Sequence, residues 1–316
     1  MRLEDMKADE ACWRQHYPFK SRWATIGGYR YHYIDEGAGE PIVCVHGNPT
    51  WSFYYRNLVR DLRKRFRVIA VDHIGCGLSD KPSLNDYDYT LKNRIDDLEA
   101  FLDGLDLTRN VTFVMHDWGG MIGMGAALRR PERVQRLVLM NTAAFLLPEG
   151  KPLPPSLWLV RNISPMAALL LQGMNLFTIG ANVMASARGL QPSIIAGYNA
   201  PYDSWSHRIA VRRFVQDIPM RVGDPSYDDV KWIGDHLKEL ASIPKLICWG
   251  EQDFVFDLDF LAEWRRRCPE AKVHTFPSAG HYCLEDDGDQ ITALVRAFLD
   301  SHPIHGIKPA MAESAI

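Results

Sequence analysis

Short apolar runs separated by glycine-rich or polar turns recur through most of the chain. Residues 24–36, ATIGGYRYHYIDE, alternate about Gly27-Gly28 and predict a β-hairpin. PIVCVHG (41–47), RVIAVD (67–72), VTFVMH (111–116), VQRLVLMN (134–141), IPKLICWG (243–250) and a weaker AKVHTFP (271–277) stay apolar at consecutive positions. That is the pattern of strands buried on both faces. Between them, 52–66, 90–105, about 120–129 and 290–302 repeat apolar residues at helical spacing. Strands alternating with helices predict an α/β fold with a mostly parallel, doubly wound sheet.

The rhythm breaks at 146–230. Prolines at 148, 152, 154 and 155 lead into helical apolar stretches such as SPMAALLLQGMNLF, with no parallel-strand pattern. The reading is an inserted helical cap domain of 146–230, dividing a core of 20–145 and 231–302. Residues 1–19 are an N-terminal arm and 303–316 a mobile tail without periodicity. CWRQHYPFKSRW (12–23) mixes basic and aromatic residues, which suits either packing on the domain or peripheral contact with a membrane.

Composition narrows the function. The 316 residues carry 36 basic and 39 acidic side chains, a net charge of −3. No basic field invites nucleic acid. Six cysteines lack a C-x-x-C pair, and Cys44 and Cys248 sit in apolar runs, so reduced thiols and a cytoplasmic location are expected. The opening residues are charged and lack the apolar stretch of a signal peptide, and no run has the length of a membrane span. No cluster has metal-ligand spacing, so neither metal nor cofactor is expected.

The chemistry concentrates in FVMHDWGGMIG (113–123), a strand that enters a glycine-rich turn and then a helix. Such an elbow presents a nucleophile at the C-terminal edge of a sheet, and here that residue is Asp117. A carboxylate is already an anion at neutral pH and attacks carbon without a base to activate it. The competing reading of Asp117 is a helix N-cap. His281 follows the last strand in SAGHYCLED, the position of the histidine in α/β-hydrolase order. Asp253, just past the preceding strand in CWGEQDFVFD, is placed to orient that imidazole, whereas Asp257 reads as the cap of the next helix. HGNPTWSF (46–53) follows the third strand and, with the N–H of Trp118, supplies oxyanion donors. The side chains of Asn48 and Trp118 add two further N–H groups.

HGNPT, DHIGCGLSDKP, HDWGG, WGEQDFVF and AGHYCLED resemble the haloalkane dehalogenase branch of the α/β-hydrolases, over about residues 20 to 300. NTAAF (141–145), APYDSW (200–205), RFVQDIP (213–219) and DFVFD (253–257) are more similar to one subgroup, the β-lactone decarboxylases of bacterial long-chain olefin biosynthesis. The resemblance implies the α/β-hydrolase fold and no cofactor. It makes Asp117 the nucleophile, His281 the histidine, Asp253 its acid, and Asn48 with Trp118 the binders of halide or lactone oxygen. Asn141 and Thr142, where one dehalogenase subgroup keeps its acid, are not acidic, and Met115 stands where a serine elbow has glycine.

The expected reaction converts a cis-3-alkyl-4-alkyl-oxetan-2-one to a cis-alkene and CO2 through a covalent Asp intermediate. Attack at the ring carbon and attack at the carbonyl both stay open. The alternatives are a haloalkane dehalogenase, an epoxide hydrolase using Tyr198, Tyr202 or Tyr227, and a non-catalytic binding module. Leu-, Ile- and Met-rich cap segments favour an apolar substrate with two alkyl chains. The resemblance also implies association with other olefin-pathway enzymes or with a membrane.

Overall fold

The computed structural model describes residues 12–152, 155–162 and 164–304. Eight strands form one sheet: β1 (Arg22–Ile26), β2 (Tyr29–Glu36), β3 (Pro41–Val45), β4 (Arg67–Val71), β5 (Val111–Asp117), β6 (Val134–Thr142), β7 (Lys245–Gly250) and β8 (Lys272–Phe276). Their order is β1-β2-β4-β3-β5-β6-β7-β8. The β1–β2 and β2–β4 pairs are antiparallel, and the others are parallel.

Side chains alternate across a strand, so each central strand feeds two cores. Val43, Val45, Phe113 and Met115 pack on one face, and Ile42, Cys44 and Val114 on the other. Helices Leu91–Gly104, Trp118–Arg129, Tyr227–His236 and Leu258–Arg267 cover the first face. Arg56–Leu62 and Gly288–Ser301 cover the second. From β3 the chain builds β4 to one side and β5 to the other. Loops leaving β3 and β5 therefore diverge, and a crevice opens at their C-terminal ends.

Between β6 and β7 the described residues form helices and turns and no strand. Pro155–Asn162 is followed by Ser164–Ala167, which continues as a π-wound turn through Gly173. Leu176–Met184, Pro192–Asn199 and Ile209–Gln216 come next.

One sequence expectation changes. The helix expected over 52–66 is a 3₁₀ turn, Ser52–Tyr55, followed by an α-helix only over Arg56–Leu62. Tertiary contacts tighten its start: the Ser52 N–H donates to Asp72 (2.7 Å) and the Tyr55 hydroxyl to the Val45 carbonyl (2.8 Å). The arm packs on the domain, the first of its two readings. Trp13, Tyr17 and Phe19 are buried, with Trp13 edge-on to Trp51 at 5.6 Å. Those rings belong to the core and are not available to a membrane. Residues 1–11 and 305–316, which include most of the expected tail, lie outside the described residues.

Asp72 ties the β3 loop to the turn after β4. Its buried carboxylate accepts from the N–H groups of Ser52 (2.7 Å) and Leu78 (2.8 Å) and pairs with buried His32 at Nδ1 (2.7 Å). Burial opposes its charge, but His32 and these donors outweigh that and hold its pKa below the usual carboxylate value. The stabilisation is therefore present at neutral pH and is lost as pH falls below the ordinary carboxylate range. Asp72→Ala strands three donors and is expected to cost about 3–5 kcal/mol in urea unfolding at pH 7. Wild-type stability at pH 7 would argue that the loop is held otherwise.

Candidate active site

Four segments meet at the crevice: the loop after β3, the elbow after β5, and the loops after β7 and β8. Asp117 ends β5 with φ 54° and ψ −131°, a conformation that an L-residue adopts only under constraint. The constraint is packing. A side-chain carbon on Gly119 would strike the Val45 carbonyl, one on Gly120 would strike Thr142 Oγ1, and one on Gly47 would strike Asp117 itself. The Thr142 hydroxyl donates to the Asp117 carbonyl, and the Trp264 indole to the Thr142 carbonyl (2.7 Å). Met115 fits where a serine elbow has glycine because Gly123, one turn into the helix, leaves room for its sulfur.

The N-cap reading of Asp117 fails. It occupies the N-cap position of Trp118–Arg129, but its side chain makes no capping hydrogen bond. Oδ1 instead accepts from the Asn48 N–H at 2.5 Å, and the Trp118 N–H also donates to the carboxylate. The two donors expected to form an oxyanion hole thus cradle the nucleophile's own carboxylate. That is the logical place for them, since an ester formed on Asp117 leaves its carbonyl oxygen there.

Behind Asp117 stands His281, with Nε2 3.6 Å from Asp117 Oδ2. Its Nδ1 is 2.7 Å from Asp253 Oδ2. Asp253 is fixed from two sides: Oδ1 accepts from the N–H groups of Val255 (2.7 Å) and Phe256 (3.0 Å), and Oδ2 also accepts from Asn141 Nδ2 (3.0 Å). All three expected residues are buried and in line. Asp257 instead caps Leu258–Arg267 by accepting from the Asp259 N–H.

Burial raises the Asp117 pKa to about 6, against the lowering pull of His281 and of the Asn48 and Trp118 N–H groups. For His281, burial opposes the cation, but the carboxylates of Asp253 and Asp117 prevail and raise its pKa. The His116 ring lies 4.6 Å from that of His281, tilted by 43°, and burial holds its own pKa well below the ordinary value.

Asn48 and Trp118 both line the cavity that opens over Asp117. Asn48 departs from expectation in one respect: its Nδ2 donates to the Val211 carbonyl (3.1 Å). An amide nitrogen carries two hydrogens, so one remains for a ligand. The cavity is about 490 Å³ and mostly apolar, walled by residues such as Phe145, Leu171, Phe177, Ile218 and Phe256. Asn48, Asp117 and His281 present polar groups to it, and the ion-paired Lys151 and Asp257 also lie in its lining. Tyr198, Tyr202 and Tyr227, which an epoxide hydrolase would need, are not among the lining residues. The hydroxyl of Tyr198 donates to Glu285 and that of Tyr202 to the Thr50 carbonyl (3.3 Å). Among the described residues no group of His, Cys, Asp or Glu is arranged to hold a metal ion.

Two supporting residues escaped sequence reasoning. Asn141, noted only as non-acidic, bridges β6 to β7: its Nδ2 donates to the Gly250 carbonyl (3.0 Å) as well as to Asp253, and its Oδ1 accepts from the Gly250 N–H (2.8 Å). Asp286 accepts from the Gly280 N–H (2.7 Å) beside His281, and from Ser186 Oγ (2.6 Å) and the Ala187 N–H (2.9 Å). It therefore fastens the histidine loop to the helical segment. Its one sequence signal is an acidic residue shortly after His281.

Residues 40–288 match the family model described as the alpha/beta hydrolase fold. A protein of Shewanella oneidensis named cis-3-alkyl-4-alkyloxetan-2-one decarboxylase is 53% identical over 283 residues, 89% of each chain. One of the same name from Xanthomonas campestris is 42% identical, covering 88% of this chain and 94% of that one. Haloalkane dehalogenase 2 of Mycobacterium tuberculosis is 31% identical, covering 89% and 95%. Among solved structures, the haloalkane dehalogenase DatA from Agrobacterium tumefaciens superposes with a TM-score of 0.81 at 27% identity, covering 90% of this chain and 97% of that one.

The raised pKa of Asp117 has a consequence for stability. A carboxyl with a folded pKa near 6 and an unfolded value near 3.8 favours folding fully below the lower value, and loses that contribution as pH rises through about 6. Asp117→Asn removes the buried charge. Its melting temperature should exceed that of the wild type by a few degrees at pH 8, with the difference shrinking at pH 5. Equal melting temperatures at pH 8 would contradict a strained, desolvated carboxylate.

Proposed function

The chain belongs to the α/β-hydrolase family, and from that premise we propose that it is a cis-3-alkyl-4-alkyloxetan-2-one decarboxylase, converting its lactone to a cis-alkene and CO2 on Asp117. The reaction is supported by the relationship to the two decarboxylases, which is closer than that to the dehalogenases. The residue roles are supported by one observation: a buried carboxylate, backed by Asp253 and His281, in the lining of a mostly apolar cavity.

Asp117 Oδ2, the oxygen outside the Asn48 cradle, attacks the ring carbon that bears oxygen. A C–O bond forms to Asp117 and the ring C–O bond breaks, freeing the lactone carboxylate. The negative charge moves from Asp117 to the departing oxygen, where the Asn48 amide and Trp118 indole N–H groups receive it. The bond from the α-carbon to that carboxylate then breaks. Its electrons form the alkene π bond, the Asp117 ester bond breaks, and CO2 leaves with both lactone oxygens. Inversion in the first step and anti departure in the second return a cis-alkene. Attack at the carbonyl is less economical, because it strands the ring oxygen on the β-carbon, from which it must return before CO2 can form.

No water is consumed. The duty of His281 is thus electrostatic: as a cation held by Asp253, it keeps Asp117 ionised in a site whose burial disfavours the charge. A dehalogenase shares the first displacement but needs this histidine to activate water. The helical segment over the cavity serves as a cap that excludes water and encloses two alkyl chains. All six cysteines are free, and we place the protein in the cytoplasm on that ground.

Offered a cis-dialkyl β-lactone, a bromoalkane and an epoxide in parallel, the purified protein should release alkene from the first. Halide or diol as the dominant product would overturn the assignment. Turnover in H2¹⁸O should leave Asp117 unlabelled, because no ester is hydrolysed; incorporation into its carboxylate would point to a dehalogenase-like second step. Protonation of Asp117 removes the nucleophile, so kcat/KM should fall as pH drops through about 6. A flat profile from pH 5 to 8 would contradict it.

A further inference from the structure

Large apolar side chains are exposed along one stretch of the helical segment. Val183 is 71% exposed, Leu169 59% and Trp158 49%, and Met174, Ile179 and Met184 are also open to solvent. Such an outcrop needs a covering partner. The same turns wall the cavity: Leu157, Leu170, Phe177 and Ala181 line it, while Leu176 and Met184 both line it and reach solvent. The apolar cavity therefore continues onto the apolar surface.

We propose that the face built from residues 155–184 docks on a lipid surface and passes the dialkyl substrate from that surface into the cavity. The route into the cavity rests on the lactone reading; the docking itself does not. Lack of charge favours a lipid partner. From Gly150 to Tyr202 there is no aspartate or glutamate, and the charged side chains are Lys151, Arg161 and Arg188. Each is ion-paired, Lys151 with Asp257 and Asp259, Arg161 with Asp224 and Arg188 with Asp287, so the outcrop itself is apolar and nearly uncharged. Composition agrees: the outcrop is chiefly Leu, Val, Ile and Met, whereas protein interfaces draw most of their affinity from Trp, Tyr and Arg.

The geometry decides how the face sits. Pro165–Gly173 and Leu176–Met184 together have the length and apolarity of a membrane span, yet they bend by 63° at the break between them. No single helix among the described residues is long and apolar enough to cross a membrane. A bent pair packed against its own domain lies in the interfacial plane, with its outward residues among the acyl chains.

The test is flotation of the full chain with phosphatidylcholine–phosphatidylglycerol vesicles, comparing wild type with the double variant Leu169→Glu, Val183→Glu. Neither side chain lines the cavity, so turnover of a short-chain, water-soluble β-lactone should be unchanged. Wild type should float with the vesicles, and the variant should do so at least about tenfold less. The variant should also lose turnover of a long-chain lactone dissolved in those vesicles. Wild type that stays at the bottom, or equal flotation of both proteins, overturns the proposal. So does a wild-type dimer that the variant converts to monomer without any vesicle binding, since a second copy would then cover the face. Flotation without alkene from any lactone would refute the reaction while leaving the docking intact; alkene formation without flotation does the reverse.

Discussion

Asp253, His281 and Asp117 form a buried line of carboxylate, imidazole and carboxylate, with contacts of 2.7 and 3.6 Å. All three groups are buried, which disfavours charge on Asp117 and His281, and the attraction between these two opposes that cost. Much of the architecture serves to hold that line. The Asp117 backbone adopts a left-handed conformation that the glycines of the elbow and the Thr142 hydroxyl sustain. Asn141 and the N–H groups of Val255 and Phe256 fix Asp253. Asp286 holds the loop that carries His281.

The electrostatic cost and the chemistry are the same fact seen twice. Burial raises the energy of the Asp117 anion, which weakens the fold at neutral pH and makes the anion a better nucleophile. An apolar cavity excludes the water that would solvate the carboxylate or intercept its ester. In the proposed reaction the supporting backbone donors, from Asn48 and Trp118, hold the oxygen that would become the ester carbonyl, and the oxygen facing His281 is left for attack.

The fold was legible because its signals are local. Consecutive apolar residues marked β3 to β7, and HDWGG announced the elbow through the spacing of an acid and two glycines. Asp253 and Asp257 were separable because one follows a strand and the other precedes a helix. What escaped reading depends on partners far along the chain. The helix expected at 52–66 is tightened at its start by Asp72, which only folding brings beside Ser52. Asn141 matters through Gly250 and Asp253, and Asp286 through Ser186, and no periodicity encodes such pairings. The arm at 12–19 was legible as a segment packed on the domain, but not the core that its rings complete around Trp51 and Phe53. The outcrop on residues 155–184 was visible as apolar composition, but which side chains face outward depends on how the helices pack.

The claim on which this account depends is that Asp117 bonds to substrate carbon. The most direct measurement is rapid-quench mass spectrometry of the protein during turnover of a β-lactone, with peptide mapping of any adduct. The account predicts a transient species heavier by the whole lactone, located on the peptide that carries Asp117, that decays as alkene appears. Alkene formation with no adduct on any time scale, or an adduct on a different residue, would contradict it.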